Sequence, residues 1–123
     1  MAVDKLQVIQ TYTVDEIAVI LDIGRNASYT LVNDTLFSCI RVGNLIRIPC
    51  SSFNAWFYDD KIVSYDKLDI KKQVYKISEI SKILNIKKTS SYALIKDTVF
   101  VSLKIGNSIR IPIESFNTWL NDR

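Results

Sequence analysis

Hydrophobic positions along the first third of the chain fall into a helical rhythm. Thr13 and Glu16 stand at capping-box spacing in Thr13-Val14-Asp15-Glu16, with Thr13 as N-cap and Glu16 reaching back. Ile17, Ile20 and Leu21 follow at i, i+3 and i+4, so the pattern predicts an amphipathic helix over residues 14–21. Asp22-Ile23-Gly24 predicts a tight turn. A second helix is expected from about Arg25 to Asn33. Leu31 and Val32 of that helix face inward, leaving Arg25, Asn26, Thr30 and Asn33 on its outer side.

The rhythm then shortens to two. Ile40 and Val42 alternate with Arg41, and Ile46 and Ile48 with Arg47, on either side of Gly43-Asn44-Leu45. This is a β-hairpin, and two registers compete. A two-residue Gly-Asn loop pairs Val42 with Leu45 and sets Ile40 opposite Arg47. A three-residue loop pairs Val42 with Ile46 and Ile40 with Ile48, which collects one apolar face and is therefore preferred. In that register Arg41 opposes Arg47, a like-charge pair that makes sense if an anion sits over it. Pro49 ends the second strand. Phe53 and Trp56, three apart, mark a closing helix, and their apolar neighbours favour core packing over base stacking.

The same pattern returns. Tyr12 to Phe57 aligns without a gap with Tyr75 to Leu120 at a constant offset of 63, and about half the positions are identical. Glu79, Ile80, Ile83 and Leu84 repeat the first helix, although Lys76 stands where Thr13 caps. Leu103, Ile105, Ile109 and Ile111 repeat the hairpin around Gly106-Asn107-Ser108, with Lys104 opposite Arg110 in the preferred register. Phe116 and Trp119 repeat the closing helix, and Pro112 the strand end. The expected organisation is one module over residues 1–57, a linker over 58–73 and a second module over 74–123. The fold class is α+β, each module having two short helices, a hairpin and a closing helix.

Composition narrows the chemistry. The 123 residues carry a net charge of +3 and include no His and only two Cys, Cys39 and Cys50. Without imidazole there is no Ser/His or Cys/His nucleophile pair, and two thiols are too few for a zinc site or a disulfide framework. The thiols are expected to be reduced and partly buried. No enzyme, metal or cofactor is expected. The chain has no apolar run of 18 residues and opens on Met1-Ala-Val-Asp-Lys, so a cytoplasmic protein without a membrane partner is expected. Charge is uneven: residues 1–60 hold four basic and seven acidic side chains, residues 61–123 twelve and six. The second half suits an anionic partner. Asp34 and Asp97, recurring after the second helix of each module, are expected to be turn or cap devices.

Taken in order, ILDIGRNASYTLV, IRVGNLIRIP and SFNAWF resemble the excisionase-type DNA-binding domain, a small MerR-like winged helix-turn-helix of mobile elements and phages. The second copy keeps the wing and closing helix but has Ile86-Lys87-Lys88-Thr89 at the turn. The resemblance implies double-stranded DNA binding, with the second helix in the major groove and the hairpin as a wing. Carried over by position, the groove residues are Arg25, Asn26, Thr30 and Asn33, with Ser28 near the phosphates. In the second copy they are Lys87, Lys88, Thr89 and Lys96, with Ser91. The wing residues are Arg41, Asn44 and Arg47, then Lys104, Asn107 and Arg110. Arg25 and Asn26 are types that read guanine and adenine edges; the lysines suit phosphates.

The expected function is sequence-specific DNA binding as a mobile-element accessory factor. That covers an excisionase-like recombination directionality factor or a plasmid transfer or maintenance factor. The alternatives are a transcriptional regulator, or an adaptor in which only the second module binds DNA. Candidate protein partners are a recombinase, a relaxase or RNA polymerase. The chain is expected as a monomer with an internal pseudo-repeat, or as a weak homo-oligomer on DNA.

Overall fold

Two compact units divide between Lys71 and Lys72 in the computed structural model, which describes residues 10–34, 37–59, 66–97 and 100–122. Residues 1–9 of the first expected module and 60–65 of the expected linker lie outside the described residues, as do Thr35, Leu36, Thr98, Val99 and Arg123. Both units have one element order, strand–helix–helix–strand–strand–helix, an α+β winged helix-turn-helix used twice.

The first unit comprises β1 (Thr11–Tyr12), α1 (Val14–Leu21), α2 (Arg25–Asn33), β2 (Ile40–Val42), β3 (Leu45–Pro49) and α3 (Cys50–Tyr58). The expected capping box starts α1. Thr13 Oγ1 accepts from the Glu16 N–H at 3.0 Å, and Glu16 Oε1 accepts from the Thr13 N–H at 2.8 Å, so two of the four orphan donors of the helix end are satisfied. Asp22 closes α1 in the left-handed region at φ 53°, a conformation that Asp and Asn tolerate better than bulkier residues. The chain thereby turns sharply into α2. Ile17, Ile20, Leu31 and Val32 are buried.

Pro49 lets the chain pass straight from β3 into α3, where Phe53 sits at the centre of an aromatic cluster. Its ring lies 5.1 Å from Tyr12 and 5.6 Å from Phe37, Trp56 and Phe57 alike. Truncating such a fully enclosed ring to alanine costs about 3–5 kcal/mol, a large share of what so small a unit has. The aromatic pair of the closing helix therefore packs as core and core edge, Phe53 fully buried and Trp56 partly buried against it.

One element has no counterpart in the expected pattern. β1 pairs antiparallel with β3, Tyr12 opposite Ile48, completing a three-stranded sheet of order β1-β3-β2. The Cys50 N–H donates to Gln10 O at 2.9 Å and extends this pairing. The chain beyond α3 also returns to the unit. Buried Asn54 donates through Nδ2 to Asp66 O at 2.7 Å and accepts from the Tyr12 hydroxyl at 2.9 Å. The same hydroxyl accepts from the Leu68 N–H at 2.8 Å. Lys67 Nζ lies 3.1 Å from Glu16 Oε2.

The second unit repeats the plan with β4 (Val74–Tyr75), α4 (Ile77–Leu84), α5 (Lys88–Lys96), β5 (Leu103–Ile105), β6 (Ser108–Pro112) and α6 (Ile113–Asn121). Ile77, Ile80, Ile95, Phe100, Ile111 and Phe116 form its core. Glu79 Oε1 accepts from the Lys76 N–H at 2.9 Å, which is half of the first unit's box, and Lys72 pairs with Glu79. Asp34 and Asp97 sit at the C-caps of α2 and α5, as expected.

The hairpin register is the main correction. Val42 pairs with Leu45, Arg41 with Ile46 and Ile40 with Arg47; Ile105 pairs with Ser108, Lys104 with Ile109 and Leu103 with Arg110. The loop has two residues, and the like-charge pairs Arg41–Arg47 and Lys104–Arg110 do not form. Gly43 and Gly106, at φ 61° and 60°, occupy the first loop position, where a two-residue turn of the II′ kind wants a positive φ and its twist matches the strands. In the first wing, burial cannot outvote the turn. Ile40, Val42 and Leu45 are 52%, 62% and 55% exposed, so no buried face selects a register there.

Candidate nucleic-acid interface

Helical periodicity sorts α2 into two sides. Leu31, Val32 and Ser28 are buried, whereas Arg25, Asn26, Tyr29, Thr30 and Asn33 are exposed along the other side. Ser28 does not face outward as expected. It is completely buried, and its hydroxyl donates to Val14 O at 2.7 Å, clipping α2 onto α1. Ser91 is equally buried and shares a 2.7 Å hydrogen bond with the Ser81 hydroxyl. Both serines are corrected from phosphate contacts to interior fasteners. A small hydroxyl fits where two helices close on each other, and its own buried oxygen finds a hydrogen-bond partner there.

Clefts flank α2 at both ends. Near its N-terminus an opening of about 230 Å³ brings together Arg25, Tyr29, Asn44 and Arg47 with the start of α1. Near its C-terminus a wider opening of about 780 Å³ is lined by Asn33, Arg41, Phe37 and Trp56 among others. The observed register explains this division. Adjacent strand residues point to opposite faces, and with Arg41 and Arg47 no longer paired across the ladder, each wing arginine serves a different end of the helix. Arg41 Nη2 donates to Asn33 Oδ1 at 2.6 Å, which ties wing to helix. Arg47 Nη1 donates to Ile46 O at 2.8 Å. Asn26 and Thr30 are exposed on the helix and line neither cleft.

Arg25 has an acid and an aromatic ring beside it. Its Nε lies 3.0 Å from Asp15 Oδ1, and its guanidinium sits 5.6 Å from the centre of the Tyr29 ring. Tyr29 and then Asp15 hold its pKa above the ordinary arginine value. The pairing is invisible to a helical-periodicity reading because Asp15 belongs to the preceding helix. The signal that could have exposed it is the turn itself, which folds the start of α1 toward the start of α2.

In the second unit Lys87, Lys88, Thr89 and Lys96 are all exposed at or along α5, and Tyr92 is exposed beside them. Lys104 and Asn107 are exposed on the wing. Arg110 is half-buried, with Nη1 donating to Ile109 O at 3.1 Å. The offset of 63 places Lys88 where Arg25 stands and Ser78 where Asp15 stands, so the second helix presents its cation without the adjoining carboxylate.

Among the described residues, no group of His, Cys, Asp or Glu could hold a metal ion, and no helix is long and apolar enough to cross a membrane. Cys39 is partly buried, Cys50 is buried, and neither is in a disulfide.

Comparison with known proteins agrees with the internal repeat. A family model described as helix-turn-helix domain matches residues 11–57 and again residues 74–123. No curated protein and no solved structure gives a significant match.

Proposed function

The chain belongs to the helix-turn-helix domain family, once in each half, and from that membership we propose that it binds double-stranded DNA sequence-specifically with both modules engaged. The observation that carries the reading is the repeated exposed polar side of the second helix, flanked by wing cations. In the first module this is Arg25, Asn26, Thr30 and Asn33 with Arg41, Asn44 and Arg47. In the second it is Lys87, Lys88, Thr89 and Lys96 with Lys104, Asn107 and Arg110. Arginine and asparagine match guanine and adenine edges, so module 1 supplies discrimination; lysine matches phosphate, so module 2 supplies salt-sensitive affinity. Two linked helix-turn-helix units suit half-sites about 10 bp apart.

The excisionase-type order of the pieces favours a mobile-element accessory factor acting in the cytoplasm. In that role it sets recombination direction or serves plasmid transfer and maintenance, alongside a recombinase or relaxase. The adaptor reading, in which only module 2 engages DNA, has one feature in its favour: the acidic balance of residues 1–60.

The test uses the full chain and a duplex that it selects from a random library. Arg25→Ala weakens binding at one half-site by about tenfold or more, while Lys88→Ala lowers affinity for selected and unrelated duplexes alike and reduces the salt slope by about one. An unchanged slope removes the phosphate role of Lys88. Neutral behaviour of a combined Arg25→Ala, Asn26→Ala, Asn33→Ala chain supports the adaptor reading instead. Failure of the unaltered chain to bind any duplex at low ionic strength removes the function.

A further inference from the structure

We infer that Asp15 is a specificity-positioning residue for Arg25, setting how selectively module 1 reads its half-site. The inference rests on the DNA-binding reading above.

The geometry is specific about which edge of the guanidinium is used. Asp15 engages Nε at 3.0 Å, and the Tyr29 ring lies against the group at 5.6 Å. Together the two contacts bias the orientation of the guanidinium. With Nε engaged by Asp15, a base would have to be read by the terminal amino groups. A bidentate contact to guanine O6 and N7 needs a planar pair of donors held in a fixed direction. A guanidinium left free would instead swing toward any phosphate oxygen, because phosphate contacts are sequence-independent and always within reach.

Stability does not account for the pair. Both side chains are about two-thirds exposed, 68% and 65%, and exposed ion pairs contribute little. An acid in the first turn of α1 favours the helix end modestly, but Glu16 already provides that through the capping box. A carboxylate in the cleft shared by Arg25, Asn44 and Arg47 also repels a polyanion. It lowers affinity for every duplex, and most for those that offer Arg25 no guanine in return. The duplicated module supplies an internal comparison. Ser78 replaces Asp15, Lys88 replaces Arg25, and Tyr92 retains the aromatic position. Acid and arginine occur together in one copy and are both absent from the other, as expected if the acid serves the arginine.

The experiment compares the full chain with Asp15→Asn and Asp15→Glu on the selected duplex and on a scrambled duplex of equal length, over a salt series. Asp15→Asn is expected to raise affinity for the scrambled duplex about fivefold, the effect of removing one like charge near a phosphate. It should lower the selected-to-scrambled ratio by at least as much. Replacing the guanine opposite Arg25 by adenine should then cost Asp15→Asn less than it costs the unaltered chain. Asp15→Glu should restore most of the ratio. Ser78→Asp, the reciprocal change, should lower affinity for the scrambled duplex. An unchanged ratio in Asp15→Asn, with the unaltered chain still selective, overturns the inference and leaves the DNA-binding reading intact. Equal losses on both duplexes together with a lowered thermal midpoint overturn it too, because they reveal a folding role only. Absence of binding by the unaltered chain removes the DNA-binding reading itself.

Discussion

Tyr12→Phe isolates one buried hydroxyl. Tyr12 is fully buried and its hydroxyl joins three segments: it donates to Asn54 Oδ1 at 2.9 Å and accepts from the Leu68 N–H at 2.8 Å. Burial, above all, pushes the pKa of this hydroxyl up, so it remains a neutral donor at any ordinary pH. Phenylalanine keeps the edge-to-face contact with Phe53 at 5.1 Å, and the substitution therefore removes hydrogen bonds and little packing. Asn54 Oδ1 loses a donor in the interior, which costs about 1–3 kcal/mol. The Leu68 N–H is only part-buried and water can replace its acceptor. The expected total is thus about 2 kcal/mol, equivalent to roughly 10 °C in a unit of this size. Each module has a single tryptophan, Trp56 and Trp119, so a Trp119→Phe background reports module 1 alone by fluorescence during urea unfolding. In the second module the positions corresponding to Tyr12 and Asn54 are half-buried Tyr75 and exposed Asn117. Tyr75→Phe, read through Trp119 in a Trp56→Phe background, is therefore expected to cost well under 1 kcal/mol. Equal effects of Tyr12→Phe and Tyr75→Phe, or a Tyr12→Phe effect below about 0.5 kcal/mol, would refute the reasoning.

Two further outcomes follow from the same contacts. Ser28→Ala removes the donor to Val14 O and should lower the stability of module 1 by about 1 kcal/mol, while the salt slope of DNA binding stays unchanged; a reduced slope would restore Ser28 as a phosphate contact. Burial raises the Glu16 and Glu79 carboxyl pKa values, but bonds from the Thr13 N–H and Lys67, and from Lys72 and the Lys76 N–H, outweigh it and hold both below the ordinary 4.5. A depressed carboxylate stabilises above its unfolded value and loses that contribution as pH falls through the folded one. Both modules should therefore weaken below about pH 4.5, and Lys67→Met should make that acid limb shallower for module 1 alone, as followed by urea midpoints through Trp56.

Local chemistry makes much of the molecule legible in its sequence. Thr13 and Glu16 announce a helix start because the cap is made by neighbours three apart, and Ile17, Ile20 and Leu21 announce its buried side for the same reason. The exposure of Arg25, Asn26, Thr30 and Asn33 follows from that periodicity too. What stayed hidden depends on tertiary contact. Ser28 looks like a polar residue on a polar helix until Val14 O is placed against it. β1 has two residues, too few for an alternation to register. Lys67 and Asp66 belong to a stretch with no repeat partner, so nothing in the alignment of the two copies marks their return to Glu16 and Asn54. The hairpin register was open to error because the apolar pattern and the turn residue point to different pairings, and in the first module Gly43 decides between them.

That register reshapes the electrostatic argument for DNA. Two facing arginines would have formed one focused anion site on the wing. The observed pairing instead separates them, Arg47 joining Arg25 at one end of α2 and Arg41 joining Asn33 at the other. A helix lying along the major groove meets phosphates of both strands, one row on each side. Cations divided between the two ends match two rows better than a single cluster would. On the proposed reading the same division serves both halves, with different emphasis. Module 2, with bare lysines, holds the polyanion wherever it lands. Tethering then raises the effective concentration of module 1 at the neighbouring half-site. A reading head delivered in that way does not need strong affinity of its own, and so it can tolerate a carboxylate beside its arginine.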